Sequence, residues 1–164
     1  FDGVVSTYQS LTPEEREKLT PLGISYVAEA QFMLGEELLA KSRKVKFTAR
    51  TLKKALKTKQ AAMASAEKAF VQVISLKQPR WIIAGFNRLG LAYADLATTL
   101  ETAPMPPRLN EDQQELYRDE LDKAVQPVKK KAIQAFSQCL ARAADFQWFH
   151  EFSDEAAQQL SRLD

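Results

Sequence analysis

The sequence predicts an all-α protein of about six to seven helices, and three observations support this fold class. Only 5 glycines and 7 prolines interrupt 164 residues that are rich in Ala, Leu, Lys, Glu and Gln, which lose little side-chain freedom in a helix. Apolar residues recur at intervals of three and four along most of the chain, as in amphipathic helices. No segment alternates apolar and polar residues for long enough to predict a strand.

Capping signals divide these helices along the chain. A hydroxyl or amide side chain before proline or acidic residues marks a helix start, because it satisfies backbone N–H groups that have no partner within the helix. Such signals stand at Thr12, Thr20, Asn110 and Ser153, and Thr48 or Thr51 can cap a further helix. We expect residues 1–20 to form a lead-in with one short helix, which begins after Thr12.

Prolines mark where helices end or bend. Pro79 ends one helix, because the residue before a proline is pushed out of the α region. Residues 103–107 contain three prolines and predict a loop between helices. Pro127 falls inside an apolar stripe that continues beyond it, which predicts a bent helix that does not stop there.

Two segments of the chain repeat one pattern. Leu34-Gly35 is followed by Leu38, and Leu89-Gly90 is followed by Tyr93 at the same spacing. The helix after each carries Ala-x-x-x-Phe, ending at Phe70 and at Phe136. The glycines are 55 residues apart and the phenylalanines 66.

These motifs resemble the tetratricopeptide repeat, of the long-helix variety found in large bacterial proteins of envelope or motility systems. The resemblance implies antiparallel helix hairpins stacked into a solenoid: repeat 1 at about 21–79, repeat 2 at about 80–147 and a partial repeat 3 at about 153–164. It also implies a protein–protein interaction scaffold, whose first helices line a groove for a peptide or protein surface. The groove positions carried over are Phe32, Glu36, Leu39, Asn87, Leu91, Asp95, Gln158 and Arg162.

Charge is unevenly distributed although the net charge is only +2. Nine basic residues and no acid lie between Lys41 and Lys59, and seven acids stand against two arginines between Glu101 and Asp122. The basic residues can be a solvated end, a docking patch for an acidic protein, including another copy of this chain, or a site for nucleic acid or anionic lipid. The possible anion patch comprises Lys44, Lys46, Arg50, Lys53, Lys54 and Lys57.

Four aromatic residues crowd into seven positions from Phe146 to Phe152. We expect Phe146, Trp148, Phe149 and Phe152 to close the core against the last helix, with an exposed docking seam as the alternative. The last helix has an apolar stripe, which includes Ala156, Leu160 and Leu163, with no predicted cover. We therefore expect a segment of a longer protein that self-associates weakly through its C-terminal end.

No catalytic or metal site is predicted. Cys139 lies on an apolar stripe and reads as a small buried hydrophobic residue, and His150, the only histidine, reads as a surface or interface residue. The sequence lacks phosphate-loop, metalloprotease, serine-hydrolase and calcium-loop motifs. We expect a non-enzymatic protein without cofactors or a transmembrane segment. Its location is open between the bacterial periplasm or envelope and the cytoplasm.

Overall fold

The computed structural model describes residues 1–48 and 51–163, apart from the side chain of Leu52. This part contains seven helices and no strand, so the predicted all-α class is confirmed. The helices are α1 (Asp2–Ser10), α2 (Pro13–Glu17), α3 (Pro21–Arg43), α4 (Leu52–Ser75), α5 (Pro79–Glu101), α6 (Glu111–Asp145) and α7 (Glu151–Leu163).

Three predicted caps are confirmed by their hydrogen bonds. Thr12 forms a capping box with Glu15, and Asn110 forms one with Gln113. Thr20 Oγ1 accepts a hydrogen bond from the backbone N–H of Gly23 at 3.1 Å. These side chains fix the starts of α2, α3 and α6 because they satisfy N–H groups that the first helical turn leaves free.

Two predictions near the ends of the chain are wrong, one on the number of helices and one on a helix start. The lead-in contains a second helix, α1, which has no side-chain cap and buries only Val5, so it left no signal in the sequence. The last helix starts at Glu151, two residues before the predicted cap Ser153. His150 is the cap, because its Nδ1 accepts from the N–H of Phe152 at 3.2 Å. Ser153 completes that cap when its Oγ accepts from the N–H of His150 at 2.9 Å.

The predicted positions of the prolines are confirmed. Pro104, Pro106 and Pro107 lie in the loop between α5 and α6. Pro127 lies inside α6, which continues to Asp145 without a break. The bend that we expect at Pro127 stays a prediction.

α3 to α7 pack largely in chain order, and one apolar core runs through these five helices. α3 packs on α4, α4 on α5 and α5 on α6, while α7 contacts both α5 and α6. The side chains that are largest and fully buried come from α3 to α6 and include Leu39, Phe70, Ile83, Val125 and Phe136.

Gly35 and Gly90 lie at close helix crossings. A Cβ atom at Gly35 would stand 2.5 Å from the ring of Phe70, and one at Gly90 would stand 2.5 Å from the ring of Phe136. Both rings are fully buried and cannot move aside freely. Each glycine therefore lets an aromatic ring from the following helix pack directly on the backbone.

Replacing Gly90 with alanine should lower the free energy of unfolding by about 1–3 kcal/mol, because the methyl group overpacks the Phe136 contact. Chemical denaturation measures this change. Gly3→Ala is the matched control, since a Cβ there meets nothing within 4 Å and alanine favours helix. Equal stability of the two variants would contradict the crossing.

Candidate protein-interaction face

Arg88 on α5 links the three helices that the sequence assigned to the groove. Its Nε donates to Glu36 Oε1 on α3 at 2.8 Å, and its Nη1 donates to Glu155 Oε2 on α7 at 2.9 Å. The guanidinium also lies over the ring of Phe152, 4.9 Å from its centroid. We call this set of contacts the Arg88 bridge. It fixes the separation of α3 and α7 across α5.

The buried side-chain amide of Asn87, next to Arg88 in the chain, stabilises the same arrangement of helices. Asn87 is fully buried, and its Nδ2 donates to the backbone carbonyl of Phe152 at 2.9 Å. Its Oδ1 accepts from Arg88 Nη1 at 2.6 Å. Phe32 meets Phe152 with ring centroids 5.8 Å apart. The start of α7 is therefore held on α5 by both polar and apolar contacts.

Three of the eight predicted groove residues do not face a groove. Phe32, Leu39 and Asn87 are 5%, 2% and 0% exposed. Phe32 packs against Phe152, Asn87 donates to the Phe152 carbonyl, and Leu39 lies in the apolar core, so these three side chains form core contacts.

Two acidic residues of the predicted set are held by internal cations. Asp95 Oδ2 accepts from Lys59 Nζ at 2.6 Å, and Glu36 belongs to the Arg88 bridge. The Lys59 side chain is 3% exposed, which places it inside the protein and outside the basic surface that the sequence suggested. Both acidic side chains of the predicted groove are thus paired with cations of the chain itself.

The rest of the predicted set remains accessible. Leu91 is half-buried on α5, while Gln158 and Arg162 are exposed on α7. Gln158 also borders an open depression of about 460 Å³ beside the Arg88 bridge, whose other lining residues are Arg88, Glu151, Phe152, Asp154 and Glu155. We call the accessible surface of α5 and α7 around Leu91, Gln158 and Arg162 the interaction face.

The aromatic cluster divides between core and surface. Phe152 is buried, whereas Phe146, Trp148 and Phe149 are 37%, 45% and 66% exposed, so the expectation that all four close the core is wrong. Gln147 adopts a positive φ of 51°, and the N–H of Trp148 bonds to the carbonyl of Ala143 at 2.9 Å. This left-handed turn ends α6 and leaves its aromatic side chains outside.

The uncovered stripe predicted on the last helix is also corrected. Phe152 and Ala156 are buried, and Leu160 and Leu163 pack against the core while remaining half-exposed. α7 is seated on α5 and α6, which cover most of its apolar side. Self-association through the C-terminal end stays an untested prediction.

The basic surface retains five described lysines. Lys44, Lys46, Lys53, Lys54 and Lys57 are exposed, while Arg50 lies outside the described residues. None of the five takes part in an ion pair with another residue that the structure describes. Their charges therefore face solvent.

Cys139 is fully buried, as the sequence predicted, and its Sγ donates toward the carbonyl of Ile83 at 3.4 Å. Burial, with a smaller contribution from the Glu155 carboxylate, raises the pKa of the thiol to about 12. The group is thus a packing residue with no thiolate at neutral pH. Among the residues described, no cluster of three His, Cys, Asp or Glu side chains could hold a metal ion.

The Arg88 bridge is the feature that sequence reasoning missed. Arg88 stands beside the Leu-Gly motif on a helix that is otherwise largely apolar, which is the one local signal of its role. Its partners are 52 and 67 residues away in the chain. A helical stripe cannot identify partners at that distance.

Comparison with protein-family models, with curated proteins and with solved structures gave no match for this chain. Within the described residues, no helix is both long enough and apolar enough to cross a bilayer.

Arg88→Met should lower the free energy of unfolding by about 1–3 kcal/mol, because it leaves two carboxylates and the Oδ1 atom of Asn87 without their hydrogen-bond donor. Amide hydrogen exchange of α7 should accelerate more than that of α4. Arg142→Met is the control, since its pair with Asp145 is exposed and spans one helical turn. Unchanged exchange in α7 would contradict the bridging role.

His150 should make stability depend on pH. Burial, together with Arg80, lowers the pKa of this imidazole below its ordinary value of 6.5 against the opposing effects of Glu151 and Asp154. The folded state thus favours the neutral ring, and this contribution is complete above pH 6.5 and is lost as the pH falls below it. Melting temperatures between pH 7.5 and 5.5 should fall for the wild type and fall less for His150→Asn, which keeps a capping acceptor.

Proposed function

We propose that this chain is a non-enzymatic scaffold of helical repeats that binds a peptide or protein surface, as part of a larger multi-repeat bacterial protein. The observation that carries the proposal is the shared packing of two helix hairpins, with Gly35 against Phe70 and Gly90 against Phe136. Stacked hairpins of this kind present extended surfaces that proteins use for binding.

The interaction face is the part of this surface that the proposal assigns to the partner. Leu91 supplies apolar area on α5, and Gln158 and Arg162 supply exposed polar groups on α7, which contacts α5. The Arg88 bridge supports the proposal because it holds α5 and α7 in one geometry before any partner arrives. A preorganised surface loses less conformational entropy when it binds.

Site-specific crosslinking tests the proposal. A photoreactive residue at position 158 should capture one partner selectively, and the same residue at Val71, which is exposed on α4, should not. With that partner purified, Gln158→Asp combined with Arg162→Glu should weaken binding by about tenfold or more. Val71→Asp should leave the affinity unchanged. Equal capture at both positions, or an unaffected affinity in the double variant, would refute the interaction face.

A second candidate function is binding to an anionic surface. The observation that favours it is the set of five exposed lysines without intramolecular partners. Affinity for heparin or for anionic vesicles that falls steeply with salt would support it, because such binding is driven by counterion release. Lys53→Gln together with Lys54→Gln should then reduce the salt dependence.

A further inference from the structure

Two surfaces of opposite charge flank one apolar slot. The basic segment consists of Lys44, Lys46, Lys53, Lys54 and Lys57, and the acidic arm is the first part of α6, residues 111–124. The slot between them has a volume of about 210 Å³, and its walls include Phe47 and Leu56 on one side and Tyr117 and Leu121 on the other. The end of α5 forms its floor through Leu100.

The acidic arm has no buried residue. The first buried side chain on α6 is Val125. α6 has 35 residues and α5 has 23, which corresponds to lengths of about 52 Å and 35 Å. The start of α6 therefore exceeds what α5 can cover. It exposes Glu111, Asp112, Glu115, Asp119, Glu120 and Asp122.

Among the described residues, these charges form no ion pair with another helix. The one ion pair that the structure describes on the arm joins Lys123 to Glu120 at 3.0 Å, one turn apart on the same helix. None of the described ion pairs joins the arm to the basic segment, although both border the slot. Both surfaces thus remain available to an outside partner.

We propose that the partner is a second copy of this chain, with the basic segment of each copy against the acidic arm of the other. Charge complementarity supports this occupant, since one chain supplies both surfaces side by side. A two-fold arrangement forms this contact twice. The basic segment of the first copy meets the acidic arm of the second, and the basic segment of the second meets the acidic arm of the first. The net charge of +2 adds little general repulsion between copies.

The slot supplies the apolar centre of this interface. The slot is lined mainly by leucine, phenylalanine and tyrosine side chains, and Leu116, elsewhere on the arm, adds apolar surface that is 60% exposed. A polyanion fits this place less well. The negative charge of the arm across the slot repels a chain of phosphates or sulfates, whereas it attracts the basic segment of another copy.

Charge reversal gives a sharp test by sedimentation velocity over a range of protein concentrations at 50 and 500 mM NaCl. The wild type should dimerise at low salt, and its dissociation constant should rise by about tenfold or more at high salt because screening weakens contacts between exposed charges. Lys53→Glu, Lys54→Glu and Lys57→Glu together form the basic-reversed variant. Glu115→Lys, Asp119→Lys and Asp122→Lys together form the acid-reversed variant.

Each reversed variant should be monomeric alone, and their equimolar mixture should dimerise, since one then has two acidic surfaces and the other two basic ones. Circular dichroism confirms that each variant is folded. The control reverses Glu14, Glu17 and Glu29 to lysine, which changes the net charge as the acid-reversed variant does but at exposed sites on α2 and α3. It should dimerise like the wild type, apart from a modest effect of net charge.

Four results would overturn the proposal. They are a wild type that stays monomeric at 50 mM NaCl, dimers that persist in either reversed variant, a mixture that stays monomeric, and a control that loses the dimer as completely as the acid-reversed variant. A monomer that binds heparin would assign the lysines to an anionic partner instead. The interaction face around Gln158 can fail or succeed independently of these results.

Discussion

The close approach of a helix backbone and a buried aromatic ring is the constraint on which the other contacts depend. At Gly90 the ring of Phe136 occupies the space of a missing side chain, and Phe70 does the same at Gly35. This spacing lets Cys139, one turn beyond Phe136, reach the carbonyl of Ile83. Full burial of one phenylalanine contributes about 1.5–3 kcal/mol, which is more than any exposed ion pair on the surface supplies.

The Arg88 bridge depends on this packing and adds α3 and α7 to it. Once α5 is seated on α6, its other side presents Asn87 and Arg88 toward α3 and α7, where the Phe152 carbonyl, Glu36 and Glu155 complete their hydrogen bonds. The bridge makes α7 part of the same packed unit, and it also removes Phe32 and Asn87 from the surface. The same contacts that order the interaction face therefore reduce its area.

The sequence predicted local features well because their causes are local. Caps such as Thr12 and Asn110 bond to residues three positions away, and the absence of a side chain at Gly90 marks a close crossing whatever the partner. The predictions failed where a residue's environment depends on how two helices are aligned with each other. The partner of Lys59 is 36 residues away at Asp95. Trp148 and Phe149 are exposed in the turn after α6 because Gln147 adopts a left-handed backbone conformation, which the composition does not reveal.

The pairing of Lys59 also defines where the basic surface ends. Its Nζ bonds to Asp95 and lies 3.5 Å from the carbonyl of Ser42 near the end of α3. Removing one partner of a fully buried pair costs about 3–5 kcal/mol, because the other charge is left without compensation, and the cost here is smaller because the Asp95 side chain is 29% exposed. Lys59 joins α4 with α5 through this pair, and turning it outward would leave Asp95 without its cation. Lys57, half a turn earlier on α4, remains exposed. One run of basic residues thus serves two purposes, internal cohesion at Lys59 and an accessible charged surface up to Lys57.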